Sequence, residues 1–328
     1  MLSNNATVEV KPFPTKSASE FLNALRRELL EGQGKPPDFT SPWLCRGHAD
    51  ADWELKPSAW RADGQEKLKP LIDWLRTRDV EFAAPCVDED DHKRTVECNL
   101  QIVAEVYAVR QFCDVADQLG LTIPGAEEVL GLKGIIECVK HRSGSFYLGV
   151  PYELKLFIPY PFAFAQHHGI PTRFLDWTCN PYVAAFFAAD GAKHVKYRTS
   201  EDICVWAVSE YAVQASSGIN WVKIPRGKHE YLHAQSGLFS FQARADDVFC
   251  QNGCVWPTFK EALQRSRGQA RIVLNKFTLP ASESEKLLTM LFTQFTSRAH
   301  LMPTLDNVGE EKGSSEEKGS KHICEANA

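Results

Sequence analysis

A chain of 328 residues, 44% hydrophobic and 24% charged, carries enough apolar material for a sizeable core and has the length of one large domain or two modest ones. Its net charge of −5 argues against a broad basic face for nucleic acid, and no run of about 18 apolar residues offers a membrane span. The N-terminus has no apolar stretch of signal-peptide length, and the ten cysteines are scattered, several of them inside apolar periodic runs where a thiol acts as a small hydrophobe. The expectation is a cytoplasmic protein without a disulfide framework. The close pair Cys250 and Cys254 lacks a second Cys/His pair and is not read as a metal site.

In chain order, residues 1–16 read as a flexible arm. Ser17 and Glu20 have the spacing of a capping box, and Phe21, Leu22, Leu25 and Leu29 make a helical stripe behind it. Residues 32–42 read as a loop. Residues 43–48, WLCRGH, read as a strand, and residues 52–56 as a second strand ended by Pro57. From about 66 to 118 the period is helical, and the stretch to 158 is read as part of one helical insertion. The period then changes: 203–208, 238–241 and 270–277 read as strands, and 283–292 as a last helix. Residues 309–328, charged and without aromatics, read as a disordered tail. Helices in front and strands behind predict an α+β fold: a mostly helical N-terminal half with a small mixed or antiparallel sheet core.

The most informative stretch is AQHHGIPTRFLDWTCNPYVAAFFAA, residues 165–189. If 171–178 is a strand, Thr172, Phe174, Asp176 and Thr178 share one face and Arg173, Leu175 and Trp177 the other. Each face mixes apolar and polar groups, as for a strand with one end in a core and the other in a polar cavity. Asn180-Pro181 is an N-cap followed by a proline at the first helical position, and the helix after it has almost no polar face, which means burial. Its N-terminus points positive charge and N–H groups toward residues 176–178. The structural reading of the same residues is an Arg173–Asp176 ion pair, a core tryptophan, and histidines that end a helix. The density of polar groups in 166–178 favours a site, because burying them is costly unless each is satisfied.

These residues resemble the FRG-domain family, named for a Phe/Tyr-Arg-Gly motif. WLCRGHADADWELKPSAWR (43–61) is similar to its aromatic-Arg-Gly strand, Trp-x-Leu-x-Pro-Ser stretch and later arginine; residues 165–188 match its longest motif; AQSGLFSF (234–241) is similar to its Gln-Gln-Gly-x-Phe motif; and 301–306 looks like its C-terminal end. Cys45 replaces the motif's aromatic residue, and Ser236 its second glutamine. The resemblance spans about 17–308, implies a single FRG domain with an insertion at about 66–158, and places such a protein in bacteria or their phages.

The layout also resembles, more weakly, an ADP-ribosyltransferase core. That resemblance implies NAD as substrate, an effector of toxin or phage-defence type, and a nucleotide or a protein target or inhibitor as partner. It gives Arg46, Gly47, His168, Thr172, Arg173, Trp177 and Thr178 binding roles, with Arg46 as a fork of donors, Gly47 as room for ligand and Trp177 as a stacking surface. Asp176 and Gln235 take the catalytic places, since no Glu-x-Glu strand is present. Two alternatives stand beside it: a noncatalytic module that senses a nucleotide or protein, and a metal-dependent hydrolase on His167, His168 and Asp176.

Overall fold

The computed structural model describes residues 6–31, 43–78, 88–130, 159–214, 218–223, 237–242, 244–265, 271–302 and 307. Seven strands form one open mixed sheet: β1 (Thr7–Pro14), β2 (Trp43–His48), β3 (Leu175–Thr178), β4 (Asp202–Ser209), β5 (Ile219–Val222), β6 (Gly237–Gln242) and β7 (Arg271–Pro280). Their order is β1-β7-β4-β2-β3-β6-β5. Only β1 and β7 run parallel, and the other neighbours are antiparallel. The fold is α+β, as expected. Residues 7–14, read as part of an arm, are instead the edge strand β1. Phe13 stacks on Phe277 at 4.5 Å between ring centroids, and Arg271 meets Glu9 at 2.5 Å. Their alternation is too polar to be seen as a buried strand, and β7, which covers them, lies far along the chain.

The helices are α1 (Ala18–Leu25), continued by a π-helical turn to Leu30, α2 (Ala62–Arg76), α3 (Glu89–Gln118), α4 (Ala126–Leu130), α5 (Pro159–His167), α6 (Pro181–Ala192), α7 (Glu210–Gln214), α8 (Ala245–Gln251), α9 (Phe259–Gln264), α10 (Ser284–Phe292) and α11 (Arg298–Leu301). Ser17 caps α1 by accepting the Glu20 N–H at 3.3 Å. Glu20 reaches back one residue further than a capping box predicts, to the Lys16 N–H at 2.9 Å, and Glu283 accepts the Ala18 N–H at 3.0 Å. The helical stretch foreseen from 66 to 118 is two helices, α2 and α3. Residues 52–56 are not a strand. Asp50 is fully buried and its carboxylate accepts the N–H groups of Asp52 at 2.9 Å and Thr199 at 2.6 Å, which turns the chain away from the sheet. The loop at 32–42 and the tail from 309 lie outside the described residues.

Three apolar clusters organise the molecule. One packs α1, α6 and α10 on Cys45, Ile203, Val205 and Phe277. A second lies on the opposite side of the sheet, where Leu44, Trp177, Val208 and Leu274 meet Phe259 and Leu263 of α9. Leu44 and Cys45 fall in different clusters, as successive strand residues should. The third joins α2, α3 and α5 to Phe174, Phe239 and Phe241. Each large side chain fully buried in these clusters contributes on the order of 1.5–3 kcal/mol of transfer free energy. On the face opposite α9, the helices that cover β2 and β4 belong to a different cluster from those that pack on Phe239 and Phe241 of β6. The seam between them runs along β2 and β3.

Candidate functional site

At that seam the sheet opens. β2 and β3 share a single register pair, Cys45 with Thr178, and then diverge. Asp176, two residues before Thr178, thus pairs with Phe239 of β6 on one side but has no register partner on β2. A side chain replaces the missing strand: the Arg46 guanidinium donates to the Asp176 carbonyl at 2.8 Å. The space so formed is a cleft of about 160 Å³ between β2, β3, β6, α5 and α6. Arg46, Gly47, Asp176 and Thr178 line it with Gln166 and His167 from α5. Phe187 of α6 and Phe239 of β6 supply its aromatic walls.

Arg46 is the hub. The same nitrogen that meets the Asp176 carbonyl lies 2.6 Å from the Asp176 carboxylate, and its Nε–H donates to His48 Nε2 at 3.0 Å. His48 Nε2 is therefore an acceptor, and Nδ1–H donates to the Trp53 carbonyl at 3.2 Å. Burial first, and then the Arg46 and Arg61 cations, push the His48 pKa well below the usual imidazole range, so that it stays neutral and can accept. For Asp176, burial alone would raise the pKa, but Arg46 and then Arg61 more than offset it and hold the carboxyl below its ordinary value. The Asp176 side chain is 56% accessible yet walled by protein charges, as expected of a group at the mouth of a cleft. Arg61 is itself shifted down to about 10, by burial and then by Arg46. Two guanidiniums and one carboxylate leave this mouth with a net positive charge.

A second line of hydrogen bonds orients Asp176 from the other side. Gln166 Nε2 donates to its Oδ1 at 2.8 Å, and the Thr172 hydroxyl donates to Gln166 Oε1. Thr172 is held in turn by Ser58, whose hydroxyl accepts the Thr172 N–H at 3.1 Å and donates to its carbonyl at 3.2 Å. Arg46, Ser58 and Arg61 come from the first sequence motif, Gln166 to Thr178 from the second, and Gly237 to Phe239 from the third. The three motifs, separated by well over 100 residues in places, converge on one carboxylate.

The remaining expected residues are placed differently. Thr172 acts through Gln166 and does not line the cleft. Arg173 does not pair with Asp176. It lies on the far side of the segment, 2.6 Å from Glu105 and 3.1 Å from Asp246, fully buried, with Trp60 and Trp256 5.9 and 5.8 Å from its guanidinium. Burial would lower its pKa, but Glu105 and Asp246 outweigh that and raise it. Trp177 does line the cleft, but most of its indole is core: its N–H donates to Ser240 at 2.9 Å and its ring packs on Phe259 at 5.0 Å. Only Leu175–Thr178 is strand, so the alternation foreseen over 171–178 holds only for its last four residues. His168 packs on Phe112 and Phe164 and is outside the cleft lining. Gln235 lies outside the described residues.

Gly47 lines the cleft, but the structure gives the glycine another reason. A Cβ there would sit 1.9 Å from the Ala184 carbonyl oxygen and 2.8 Å from the Ala188 nitrogen. Gly47, Ala184 and Ala188 let α6 lie directly on β2. Asn180 caps that helix by accepting the Tyr182 N–H at 2.9 Å, and its own N–H donates to the Thr178 hydroxyl at 3.0 Å. Sequence reasoning assigned no role to Phe187, whose signal was only its place in an apolar helix. His48 followed the Arg-Gly motif directly and was legible as a polar residue on a strand, though not as the acceptor for Arg46.

Among the described residues no group of three or more His, Cys, Asp or Glu is arranged to hold a metal, so the metal-dependent alternative has no ligand set there. No described helix is long and apolar enough to cross a membrane. Comparison with curated proteins and with solved structures gives no match. Comparison with family models gives one: the FRG domain model matches residues 154–196, the segment that supplies α5, β3 and α6 and with them Gln166, Asp176 and Phe187 to the cleft. Residues 154–196 are thus similar to the FRG domain.

Proposed function

We propose that the cleft binds NAD or a related nucleotide and that the chain is an ADP-ribosyltransferase-like effector, of toxin or phage-defence type, acting on a nucleotide and a protein target. The observation that carries this reading is the Arg46–Asp176 ion pair at the open seam of the sheet, with Arg61 beside it. A fork of guanidinium donors suits a pyrophosphate. Cleaving the nicotinamide–ribose bond sends the bonding electron pair out with nicotinamide, which leaves neutral, so no general acid is required. The ribose carbon becomes oxocarbenium-like, and an acceptor nucleophile or water bonds to it and loses a proton. An ionised Asp176 supplies the negative charge such a carbon needs, and its lowered pKa keeps it ionised. Phe187 and Phe239 offer surfaces for the nicotinamide ring. Gln235, two residues before the cleft-lining Gly237 in sequence, keeps in this reading the catalytic place that the resemblance gives it.

The second reading is a nucleotide sensor without turnover. It is favoured by the 2.6 Å contact itself, because Arg46 already counters the charge of Asp176 before any ligand arrives. Nicotinamide release from NAD, measured beside NAD binding by calorimetry, separates the two. For the transferase, release by the wild type falls by about 100-fold or more in Asp176→Asn, and binding is lost in Arg46→Ala. Binding without release selects the sensor, and absence of both removes the nucleotide reading.

A further inference from the structure

A second cavity, of about 210 Å³, lies at the opposite end of β6, between the start of β5 and helices α8 and α9. Gln242, the last residue of β6, faces it. This side chain is 3% exposed, and neither its amide nitrogen nor its amide oxygen has a hydrogen-bond partner among the described residues. A buried amide left unpaired at both ends is rare and carries a desolvation penalty at each atom. The register does not account for it: Gln242 pairs through its backbone with Ile219, and a leucine would serve that position equally well. The cavity also holds two guanidiniums. Arg244 donates to Asp247 at 3.1 Å, whereas Arg265 donates only to the neutral Asn252 oxygen at 2.9 Å. Two cations and one carboxylate leave the cavity net positive. Ala262, Val248 and Pro257 give it apolar walls.

We infer that this cavity is a binding site for a nucleoside monophosphate, with the base edge on the Gln242 amide and the phosphate on Arg265 and Arg244. The amide presents one donor and one acceptor side by side, which matches a donor–acceptor pair on a nucleobase edge. The volume suits a planar base between the apolar walls, with the phosphate outside on the guanidinium forks. A peptide strand has an alternative here, the open edge of β5, and does not need the cavity. The site stands apart from the cleft, which is lined by the first residues of β6 and not by Gln242. It survives if the NAD reading fails.

The test is calorimetric titration of AMP, CMP, GMP and UMP into the full chain and into its Arg46→Ala variant. At least one of the four is expected to bind both proteins saturably. Gln242→Leu and Arg265→Ala should each weaken that binding by about tenfold or more, and the nucleoside lacking phosphate should bind correspondingly more weakly. Without ligand, Gln242→Leu should melt at or above the wild-type temperature, since replacing an unpaired buried amide by an apolar group of similar size is neutral or stabilising. The inference is overturned if none of the four binds, if binding survives Gln242→Leu, if it is lost in Arg46→Ala but kept in Gln242→Leu, or if Gln242→Leu melts well below wild type.

Discussion

Only two residues of chain separate Arg173 from Asp176, and the two belong to opposite kinds of charge cluster. Around Arg173 one cation faces two carboxylates, Glu105 and Asp246, with the three side chains only 3%, 0% and 9% accessible. Around Asp176 one carboxylate faces two cations, and more than half of its side chain is accessible. The first cluster is sealed and locks α3 and α8 to the segment between α5 and β3. The second is open and carries net positive charge toward solvent. The same pair of residue types thus serves structure where the charges are enclosed and ligand binding where the sheet splits. Density of polar residues marks the segment, but the direction each side chain takes decides its role.

The largest effect that would sharpen this contrast lies at Gly47, which joins the cleft to the core. Gly47→Ala places a methyl group against the backbone of α6, and because backbone cannot rotate away, a loss of more than about 4 kcal/mol is expected. Chemical denaturation or failure to obtain soluble folded protein checks this. If Gly47→Ala keeps wild-type stability but loses NAD binding, the glycine serves ligand room instead. Next comes Arg173→Met, which leaves two buried carboxylates without their cation and should cost about 3–5 kcal/mol in urea unfolding. Asp176→Asn is the matched test in the open cluster. Its stability should change by less than about 1 kcal/mol, because an accessible ion pair is screened by water. Equal losses at Arg173 and Asp176 would erase the distinction.

The open cluster should also show a pH dependence. His48, beside Arg46, has a folded pKa far below the 6.5 of a free imidazole, so the unfolded chain takes up its proton first as pH falls. Stability contributed by neutral His48 is fully present above about pH 6.5 and declines below it, at up to about 1.4 kcal/mol per pH unit. Asp176, with its lowered pKa, adds stability that is present above the unfolded value of 3.8 and lost as pH drops through the folded value. Denaturation at pH 7, 6 and 5 should show the His48 slope in the wild type and not in His48→Gln. The smallest effect is expected for Ser58→Ala, about 1 kcal/mol, because Ser58 supports Thr172 with hydrogen bonds that water can partly replace. If that variant changes NAD binding more than stability, the line from Ser58 through Thr172 and Gln166 positions Asp176.

Where local chemistry decides conformation, the sequence was enough. Asn180-Pro181 starts α6, Ser17 starts α1, the apolar runs at 203–208 and 238–241 lie within β4 and β6, and the described part of 270–277 lies within β7. The capping box of α9, Thr258 with Glu261, has the same local spacing and starts a helix of only six residues. β1 and the turn at Asp50 were not readable, since their partners, β7 and the Thr199 backbone, lie far away in sequence. The motif residues Arg46, Asp176, Trp177 and Thr178 do line one cleft, although the Trp177 indole is bonded to Ser240 in the core, whereas Arg173 turned away to Glu105.

The sequence by itself determined which segments are helical or extended, which helix is buried, and that polar groups crowd residues 166–178, because each of these depends on neighbours a few residues apart. Tertiary structure alone decided which carboxylate meets which guanidinium. A charge pair depends on distances of a few ångströms between residues 68 to 130 positions apart, and the divergence of β2 from β3 leaves room for Arg46 to meet Asp176 while Arg173 turns to Glu105.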